Sequence, residues 1–257
     1  MMIVLMNSSK TLDTEGPVLT RRYTIPEFIG DAEMLVSLLR SLGPDALADL
    51  MSISAKLARL NVDRYQEWNT PFKLNNARQS LAAFRGDVFA GLAVDAYTAE
   101  EFDFAQSQVR ILSGLYGILR PLDLIQPYRL EMATRLATSR GSNLYEYWGN
   151  RITMALKHVL QGEKTSVLLN LASLEYVKAI KVADLNSRVI TPVFQDVKNG
   201  NPRTVVIYTK KARGLMCDEI IRKRIVDVED LKSFDRDGYR FNHARSSDAQ
   251  LVFERFR

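Results

Sequence analysis

Apolar residues follow two different spacings along this chain, and the spacing predicts where helices and strands lie. Between residues 31 and 42, apolar side chains such as Leu35, Leu38 and Leu39 recur every three or four residues, and Gly43 follows them. This spacing places them on one face of a helix that ends near the glycine. The same reasoning predicts helices over residues 31–42, 45–61, 76–84, 98–112, 145–160 and 211–225.

Short runs of apolar or β-branched residues indicate strands. Asn199 and Gly200 lie between two such runs and favour a tight hairpin turn. The runs predict strands over residues 2–6, 87–90, 167–171, 189–194, 204–208 and 251–256. Helices and strands mix without a strict alternation, so we expect an α+β fold. No linker or repeat divides the chain, and we expect a single mixed α/β domain over residues 1–257.

Composition and charge narrow the function only in part. Of the 257 residues, 46% are hydrophobic and 25% are charged, which is ordinary for a globular protein. No run reaches the roughly 20 apolar residues of a membrane span, and the apolar opening lacks the flanks of a signal peptide. We therefore expect a cytosolic (cytoplasmic) protein with no membrane partner. The net charge of +5 suits a polyanion such as nucleic acid without requiring one.

The chain offers few side chains for redox or metal chemistry. Its one cysteine, Cys217, excludes a disulfide within the chain. Cys217 lies beside Asp218 and Glu219, whose charges would raise the pKa of the thiol, so we expect a buried, unreactive side chain. The two histidines, His158 and His243, fit no metal-ligand spacing. The sequence therefore predicts no metal site built on His or Cys and no cofactor.

The most informative stretch is residues 112–123, in which Gly114 and Gly117 frame a turn after a predicted helix. If a short helix begins near Pro121, the arrangement is similar to a helix-hairpin-helix element. Glycines let backbone N–H groups approach a phosphate, and a helix N-terminus adds a partial positive charge. The alternative is a glycine cap followed by a tight turn. Three arginines flank the turn and are suited to pair with phosphates: Arg110, Arg120 and Arg129.

Three other polar stretches are candidates for a site. The loop 7–13 follows the first strand, where ligand sites commonly form, but it lacks the Walker pattern. Residues 210–214 place cations at a helix start, where they oppose the helix dipole unless an anion is bound. Residues 170–178 combine Asn, Ser, Glu, Tyr and Lys after a buried strand. Each stretch also has an ordinary explanation, namely a solvated loop, a charged helix end or a capped turn.

These stretches together resemble the YaaA family of bacterial peroxide-stress proteins. The resemblance follows the family's order over residues 2 to about 256, and the segments that carry it are 9–13, 103–106, 112–132, 170–173, 175–176, 211–216 and 238–239. One segment of three residues departs from the family. Where the family typically has Ser-Pro-Ala before Lys-Thr-Leu, this chain has Asn7, Ser8 and Ser9. Without the proline the backbone angle φ is less restricted, so we expect this loop to be where the protein differs.

The resemblance implies a cytosolic protein of the oxidative stress response that is thought to limit unincorporated iron and so Fenton damage to DNA. It also implies a mixed α/β fold of unusual topology, with a helix-hairpin-helix-like element and a positively charged cleft. Binding to duplex or branched DNA through the hairpin region is the activity that the resemblance implies.

Two functional hypotheses follow. The first is a DNA-binding protein that contacts phosphates with little sequence specificity and loses affinity steeply with salt. Its expected contacts are Lys10, Arg110, Gly114, Tyr116, Gly117, Arg120, Arg129, Lys211 and Arg213. The second is an enzyme acting on a nucleotide or nucleic acid base, which leaves a small-molecule ligand open. It requires a pocket formed by Asp123, Glu131, Asn170, Ser173, Glu175 and Lys178. Direct iron binding would need carboxylates alone, such as Asp103, and is disfavoured.

Overall fold

The computed structural model describes residues 2–13, 15–161 and 166–256. Within these ranges the strands are β1 (Met2–Asn7), β2 (Thr11–Leu12), β3 (Arg78–Gln79), β4 (Phe84–Arg85), β5 (Val109–Ser113), β6 (Gly117–Leu119), β7 (Leu124–Ile125), β8 (Val167–Asn170), β9 (Arg188–Lys198), β10 (Asn201–Arg203), β11 (Arg240–Phe241) and β12 (Gln250–Phe256). The α-helices are α1 (Ile29–Arg40), α2 (Pro44–Met51), α3 (Ala55–Glu67), α4 (Ser80–Ala83), α5 (Ala99–Gln108), α6 (Leu144–Trp148), α7 (Arg151–Leu160), α8 (Leu174–Val177) and α9 (Val206–Lys223). Short 3-10 helices lie at Phe89–Gly91, Val94–Ala96, Val182–Leu185, Val228–Ser233, Arg236–Gly238 and His243–Arg245.

An eight-stranded mixed sheet organises the fold. Its order is β11-β12-β9-β8-β1-β5-β6, with β10 paired to the end of β9. The five strands β12, β9, β8, β1 and β5 run parallel, and β6, β10 and β11 are antiparallel to their neighbours. The predicted α+β class, with helices and strands in one mixed arrangement, is confirmed.

Strand β1 lies at the centre of the core. Its residues from Met2 to Met6 are at most 1% exposed, as expected for a parallel strand covered on both faces. Leu5 pairs with Arg110 of β5 on one side and with Asn170 of β8 on the other. Helix α5 packs against β1 and β5, and α9 packs against β9. The continuous apolar run at the start of the sequence is therefore explained by its place between two layers.

The strand order reverses direction next to β1. The chain first builds β5 and β6 on one side of β1, and then places β8, β9 and β12 in turn on the other side. In open sheets with parallel strands, such a reversal leaves a crevice at the carboxyl ends of the two central strands, where ligands commonly bind. Here that position is the end of β1 at Asn7 and the end of β8 at Asn170.

The predicted helix-hairpin-helix-like element is wrong. The helix that Thr98 and Glu101 cap begins as predicted, with both hydrogen bonds of the capping box, but it ends at Gln108. The next five residues form β5 because their apolar side chains pair with β1 in the core. Residues 109–119 are therefore a β-hairpin, in which Ile111 pairs with Leu119.

Two long predicted helices are each divided in two. The stretch 45–61 breaks at Ser52, which takes a left-handed φ of 51°, and Ser54 then caps α3 by accepting a hydrogen bond from the N–H of Leu57. The stretch 145–160 breaks at Gly149, which has a φ of 52°. In both places the side chains keep helical spacing across the break, so periodicity alone does not reveal it.

Three shorter predictions are also wrong. The stretch 76–84 is a helix only over α4, because β3 pairs with β7 and the Gln79 amide donates to the carbonyl oxygens of Thr20 and Arg22. Residues 87–90 contribute to a 3-10 helix instead of a strand, and residues 204–208 enter α9. The hairpin at Asn199 and Gly200 is confirmed, with the three-residue β10 as its second strand.

The remaining predicted elements are confirmed with small shifts at their ends: the helices 31–42 and 211–225 and the strands 2–6, 167–171, 189–194 and 251–256.

Candidate functional site

A pocket of about 590 Å³ opens at the carboxyl ends of β1 and β8, where the strand order reverses. Its walls come from the loop after β1, the turn into α8, the segment after β4, and the first turns of α9. The polar and charged side chains that line it are Asn7, Ser8, Ser9, Lys10, Thr11, Asp87, Glu131, Ser173, Glu175, Tyr176, Thr204, Thr209, Lys210 and Arg213. This volume is within the range of small-molecule sites.

Side-chain hydrogen bonds hold the loop after β1 in place. The side-chain oxygen of Asn7 accepts from the N–H of Ser173 at 2.9 Å, which ties this loop to the loop after β8. The N–H of Ser8 donates to the carbonyl oxygen of Leu112, and Ser9 accepts from the N–H of Thr11. Asn7, Ser8 and Ser9 therefore supply local contacts at the positions where the resembled family has Ser-Pro-Ala.

A chain of hydroxyl groups runs from the core to the pocket wall. The Ser8 hydroxyl donates to the Tyr176 oxygen at 3.2 Å, and the Ser113 and Tyr128 hydroxyls are 2.7 Å apart. Burial raises the pKa of Tyr128 to about 12, and burial also raises the pKa of Tyr176. Both phenols are therefore neutral at physiological pH and available as hydrogen-bond donors.

Most charges in the pocket wall are paired. Lys10 Nζ lies 2.6 Å from Glu131 Oε2, and Lys210 Nζ lies 3.4 Å from Asp87 Oδ2. Glu175 Oε1 accepts a hydrogen bond from the backbone N–H of Ala133 at 3.1 Å. The lining has three cations and three carboxylates, so the described wall is balanced in charge.

Arg213 differs from the other cations of the wall. Its Nε atom is buried and has no hydrogen-bond partner within the described part of the chain. Burial lowers the pKa of its guanidinium, and no carboxylate offsets that effect there. A guanidinium that has lost water without gaining an anion is costly unless a ligand supplies the missing charge.

Five residues from the two predicted sets, the DNA contacts and the enzyme pocket, do not line this pocket. Lys211 is half exposed on α9 with its Nζ atom 3.8 Å from Asp237, and Asn170 bonds the N–H of Ala172 just below the pocket floor. Lys178 is exposed at the end of α8. Asp123 is buried and pairs with Arg120 at 2.9 Å, away from the pocket.

The glycine turn and Arg110 are enclosed by protein. A Cβ atom on Gly114 would lie 2.3 Å from the carbonyl oxygen of Leu130, and Tyr116 is fully buried. At Gly117, where φ is 67°, a Cβ would lie 2.8 Å from the Trp148 ring. Arg110 donates to three backbone carbonyls at the end of α5, and burial lowers its pKa. These groups stabilise the hairpin and do not present donors to a phosphate.

The structure thus brings together Lys10, Glu131, Ser173, Glu175 and Arg213 from the two predicted sets. Arg129 lies beside them, with its Nη2 atom 3.3 Å from Glu131. Sequence reasoning selected Ser8 only as part of the loop 7–13, and it missed Thr209 as a wall residue. Ser8 follows the first strand directly, whereas Thr209 lies between the predicted strand 204–208 and the predicted helix 211–225 and so belonged to no predicted element.

The described residues contain neither a metal-binding cluster nor a membrane-spanning helix. They contain no group of three or more His, Cys, Asp or Glu side chains arranged to hold a metal ion. No helix among them is long and apolar enough to cross a membrane. Cys217 is buried. Its burial and, to a smaller extent, the charge of Asp218 raise the pKa of its thiol, as the sequence predicts.

The fold and the pocket define a mixed α/β protein with a polar pocket at the point where its strand order reverses. Residues 2–245 match the family described as peroxide stress protein YaaA. The chain is 48% identical over 254 residues to a UPF0246 protein of Aliivibrio fischeri strain MJ11, covering 99% of this chain and 98% of the relative. A UPF0246 protein of Aliivibrio fischeri strain ATCC 700601 / ES114 has the same identity and coverage. The chain therefore belongs to the YaaA family of peroxide stress proteins.

Proposed function

We propose that this protein binds DNA in the peroxide stress response and that a phosphate of the strand is held by Arg213 in the pocket beside Lys10. The observation that carries the proposal is the half-buried Arg213, whose Nε atom is buried without a hydrogen-bond partner among the described residues and whose guanidinium pKa is lowered by burial. A phosphate would supply the acceptor and the negative charge that the guanidinium lacks.

The two lysines of the pocket wall, Lys10 and Lys210, favour a phosphate over a carboxylate as the ligand. Lys10 and Lys210 each keep a carboxylate partner but remain about half exposed, with side-chain exposures of 59% and 47%. Both can therefore turn towards a second anionic oxygen without leaving a buried charge unpaired. A phosphate at a strand end offers three oxygens to Arg213, Lys10 and Lys210, and a phosphate within a strand offers two charged ones.

The size of the pocket restricts how DNA can reach it. A cavity of about 590 Å³ takes a single nucleotide. A double helix, whose major groove alone is about 12 Å wide, can only lie across the opening. The proposal therefore favours a strand end, a branch point or an unpaired nucleotide. Contacts to phosphate carry no sequence information, so we expect little sequence specificity.

Fluorescence anisotropy with labelled duplex, single-stranded and branched DNA at several salt concentrations tests the proposal. We expect branched and single-stranded DNA to bind more tightly than blunt duplex, and affinity to fall with added salt. Arg213→Gln should weaken binding roughly tenfold or more, as expected for loss of a charged hydrogen bond. Arg59→Gln, which removes an exposed arginine of α3, is the matched control. Equal binding by both variants would refute the proposal.

The convergence of acid–base groups favours a second candidate, an enzyme acting on a nucleotide or nucleic acid base in this pocket. Glu131 and Lys10 form an ion pair at 2.6 Å, and the neutral Tyr176 hydroxyl lies in the same wall. Product analysis after incubation with DNA and with nucleotides tests this candidate. Glu131→Gln should then abolish turnover while binding persists, and an absence of products with the wild-type protein would reject it.

The link to unincorporated iron that the resemblance implies remains part of the proposal, with the cytosol as the expected location. Equilibrium dialysis with ferrous iron, in the presence and absence of DNA, tests whether the protein takes up the metal itself. If the effect on iron is exerted through DNA, the protein alone should retain no more iron than the buffer.

A further inference from the structure

A second group of cations lies beside the pocket. Arg129 and Glu131 line a small recess that shares Ser8, Ser9, Lys10, Glu131 and Tyr176 with the main pocket. Helix α3 reaches this recess, because the Tyr65 hydroxyl donates to the carbonyl oxygen of Arg129. Arg64 precedes Tyr65 on α3; burial lowers the pKa of Arg64, and the charge of Arg129 acts in the same direction.

The charges of this cluster do not balance. Glu131 accepts from both Lys10, at 2.6 Å, and Arg129, at 3.3 Å. Arg64 has a neutral partner, the side-chain oxygen of Asn61 at 3.4 Å. Glu131 is therefore shared by two cations, and Arg64 has no carboxylate partner in the described ranges.

One donor of the cluster also lacks an acceptor. The Nε atom of Arg129 is buried without a hydrogen-bond partner in the described ranges, and the Arg129 side chain is only 16% exposed. A second partly desolvated guanidinium thus lies next to the pocket that contains the first, Arg213. Arg213 lines the pocket and Arg129 lines the adjoining recess, so the two groups are suited to two anionic groups of one ligand.

We propose that Arg64 and Arg129 form a second phosphate subsite, so that the site takes two successive phosphates of a nucleic acid strand. This inference rests on the proposed function, because the first phosphate is the one assigned to Arg213. Lys10 lines both the pocket and the recess and lies between the two subsites. The nucleotide attached to the first phosphate occupies the pocket, and the strand leaves over Arg129 towards α3.

Calorimetric titration with three ligands tests the assignment. The ligands are a 5′-mononucleotide, a 5′-phosphorylated dinucleotide and a nucleoside diphosphate, and the proteins are wild type, Arg64→Gln, Arg213→Gln and the control Arg59→Gln. Arg59 lies on the same helix as Arg64 but is exposed, so its replacement removes the same charge without touching the cluster. Cooperative melting at or above the wild-type temperature confirms that the variants are folded.

The second phosphate should improve the affinity of the wild-type protein for the dinucleotide. In Arg64→Gln we expect that gain to fall roughly tenfold, with binding of the mononucleotide within about twofold of wild type. Arg213→Gln should weaken both ligands. If Arg64→Gln leaves the dinucleotide unaffected while Arg213→Gln weakens both, the second subsite is refuted and the proposed function stands.

Two other outcomes separate the remaining claims. If Arg213→Gln changes neither ligand, the proposed function itself fails. The second outcome is that the nucleoside diphosphate gains as much affinity over the mononucleotide as the dinucleotide does, and that Arg64→Gln abolishes that gain. In that case the ligand is a free nucleotide, and the assignment to a strand is overturned.

Discussion

The Nζ atom of Lys10 lies 2.6 Å from Oε2 of Glu131, and the other carboxylate oxygen, Oε1, accepts from Arg129 at 3.3 Å. Glu131 therefore neutralises two of the cations that a phosphate would use. We expect Glu131→Gln to strengthen binding of DNA and of mononucleotides by up to about fivefold, because a partly exposed ion pair is worth up to about 1 kcal/mol. Anisotropy titrations measure the change.

Glu229→Gln is a suitable control for that experiment. Glu229 also pairs with a lysine, Lys232 at 2.5 Å, but it is exposed in the 3-10 helix Val228–Ser233, and neither residue lines the pocket. Its replacement changes the net charge equally and should leave binding unchanged. Equal gains in the two variants would show that net charge, and not the release of Lys10 and Arg129, strengthens binding.

Arg213 should lower the stability of the unliganded protein, although it contributes to the binding of DNA. Its guanidinium is desolvated and lacks an anionic partner in the described ranges, so the side chain stabilises the unliganded fold poorly. We expect Arg213→Met to raise the melting temperature of the unliganded protein by about 2–4 °C, which corresponds to roughly 1 kcal/mol at this chain length. Adding DNA should stabilise the wild type more than the variant. A lower melting temperature without ligand would contradict this reasoning.

The turn at Gly114 provides a test of the hairpin. A Cβ atom there would meet the carbonyl oxygen of Leu130 at 2.3 Å, and backbone on both sides would have to shift. We expect Gly114→Ala to destabilise the protein by more than about 3 kcal/mol, in the upper range for single substitutions. Gly43→Ala is the control, since nothing lies within 4 Å of the added methyl group. Denaturant unfolding of both variants measures the difference. A neutral Gly114→Ala would mean that the turn is open to solvent.

The sequence predicted well those elements whose residues are apolar throughout. Strands β1 and β8 were predicted because a strand buried between two layers needs a continuous apolar run. The hairpin at Asn199 and Gly200 was predicted because local turn chemistry determines it. In each case the information lies within a few neighbouring residues, so no knowledge of the fold was needed.

The central motif was misinterpreted because its structure depends on distant partners. Val109–Ser113 has a helical neighbour before it and a glycine after it, which is also what a helix end looks like. Only pairing with β1, more than a hundred residues away along the chain, makes it a strand. The long motif that this chain shares with the family therefore identified the family correctly. The same residues did not predict the local structure of the glycine turn.

The candidate site was predicted in part for a similar reason. The loops after β1 and β8 were recognised as polar segments following apolar strands, and parallel pairing brings their ends together. Arg213 was selected as part of a cationic helix start, but its neighbour Lys211 points away from the pocket. Which of two adjacent cations faces a site depends on the helix's rotation against the sheet, and the sequence does not specify that rotation.

Buried tyrosines should make the protein sensitive to alkaline pH. Burial raises the pKa of Tyr128 to about 12 from its ordinary value of 10.0. A phenol whose pKa is raised by folding stabilises the folded state fully below about pH 10 and loses that contribution as the pH rises through about 12. A shift of about two units corresponds to roughly 2.7 kcal/mol. We therefore expect unfolding to become easier between about pH 10 and 12.

Tyr128→Phe isolates this contribution. The variant loses the hydrogen bond with Ser113, so it should be less stable near neutral pH by roughly 1 kcal/mol. Between about pH 10 and 12, however, its free energy of unfolding should fall less steeply with pH than that of the wild type. The two slopes should differ by up to the amount that corresponds to one bound proton. Urea unfolding at a series of pH values, with phenolate absorbance followed in parallel, measures both effects. Tyr23→Phe, which alters an exposed tyrosine, should leave the slope unchanged. If Tyr128→Phe and the wild type show the same slope, Tyr128 ionises without unfolding the protein and the hydroxyl chain next to the pocket is open to water.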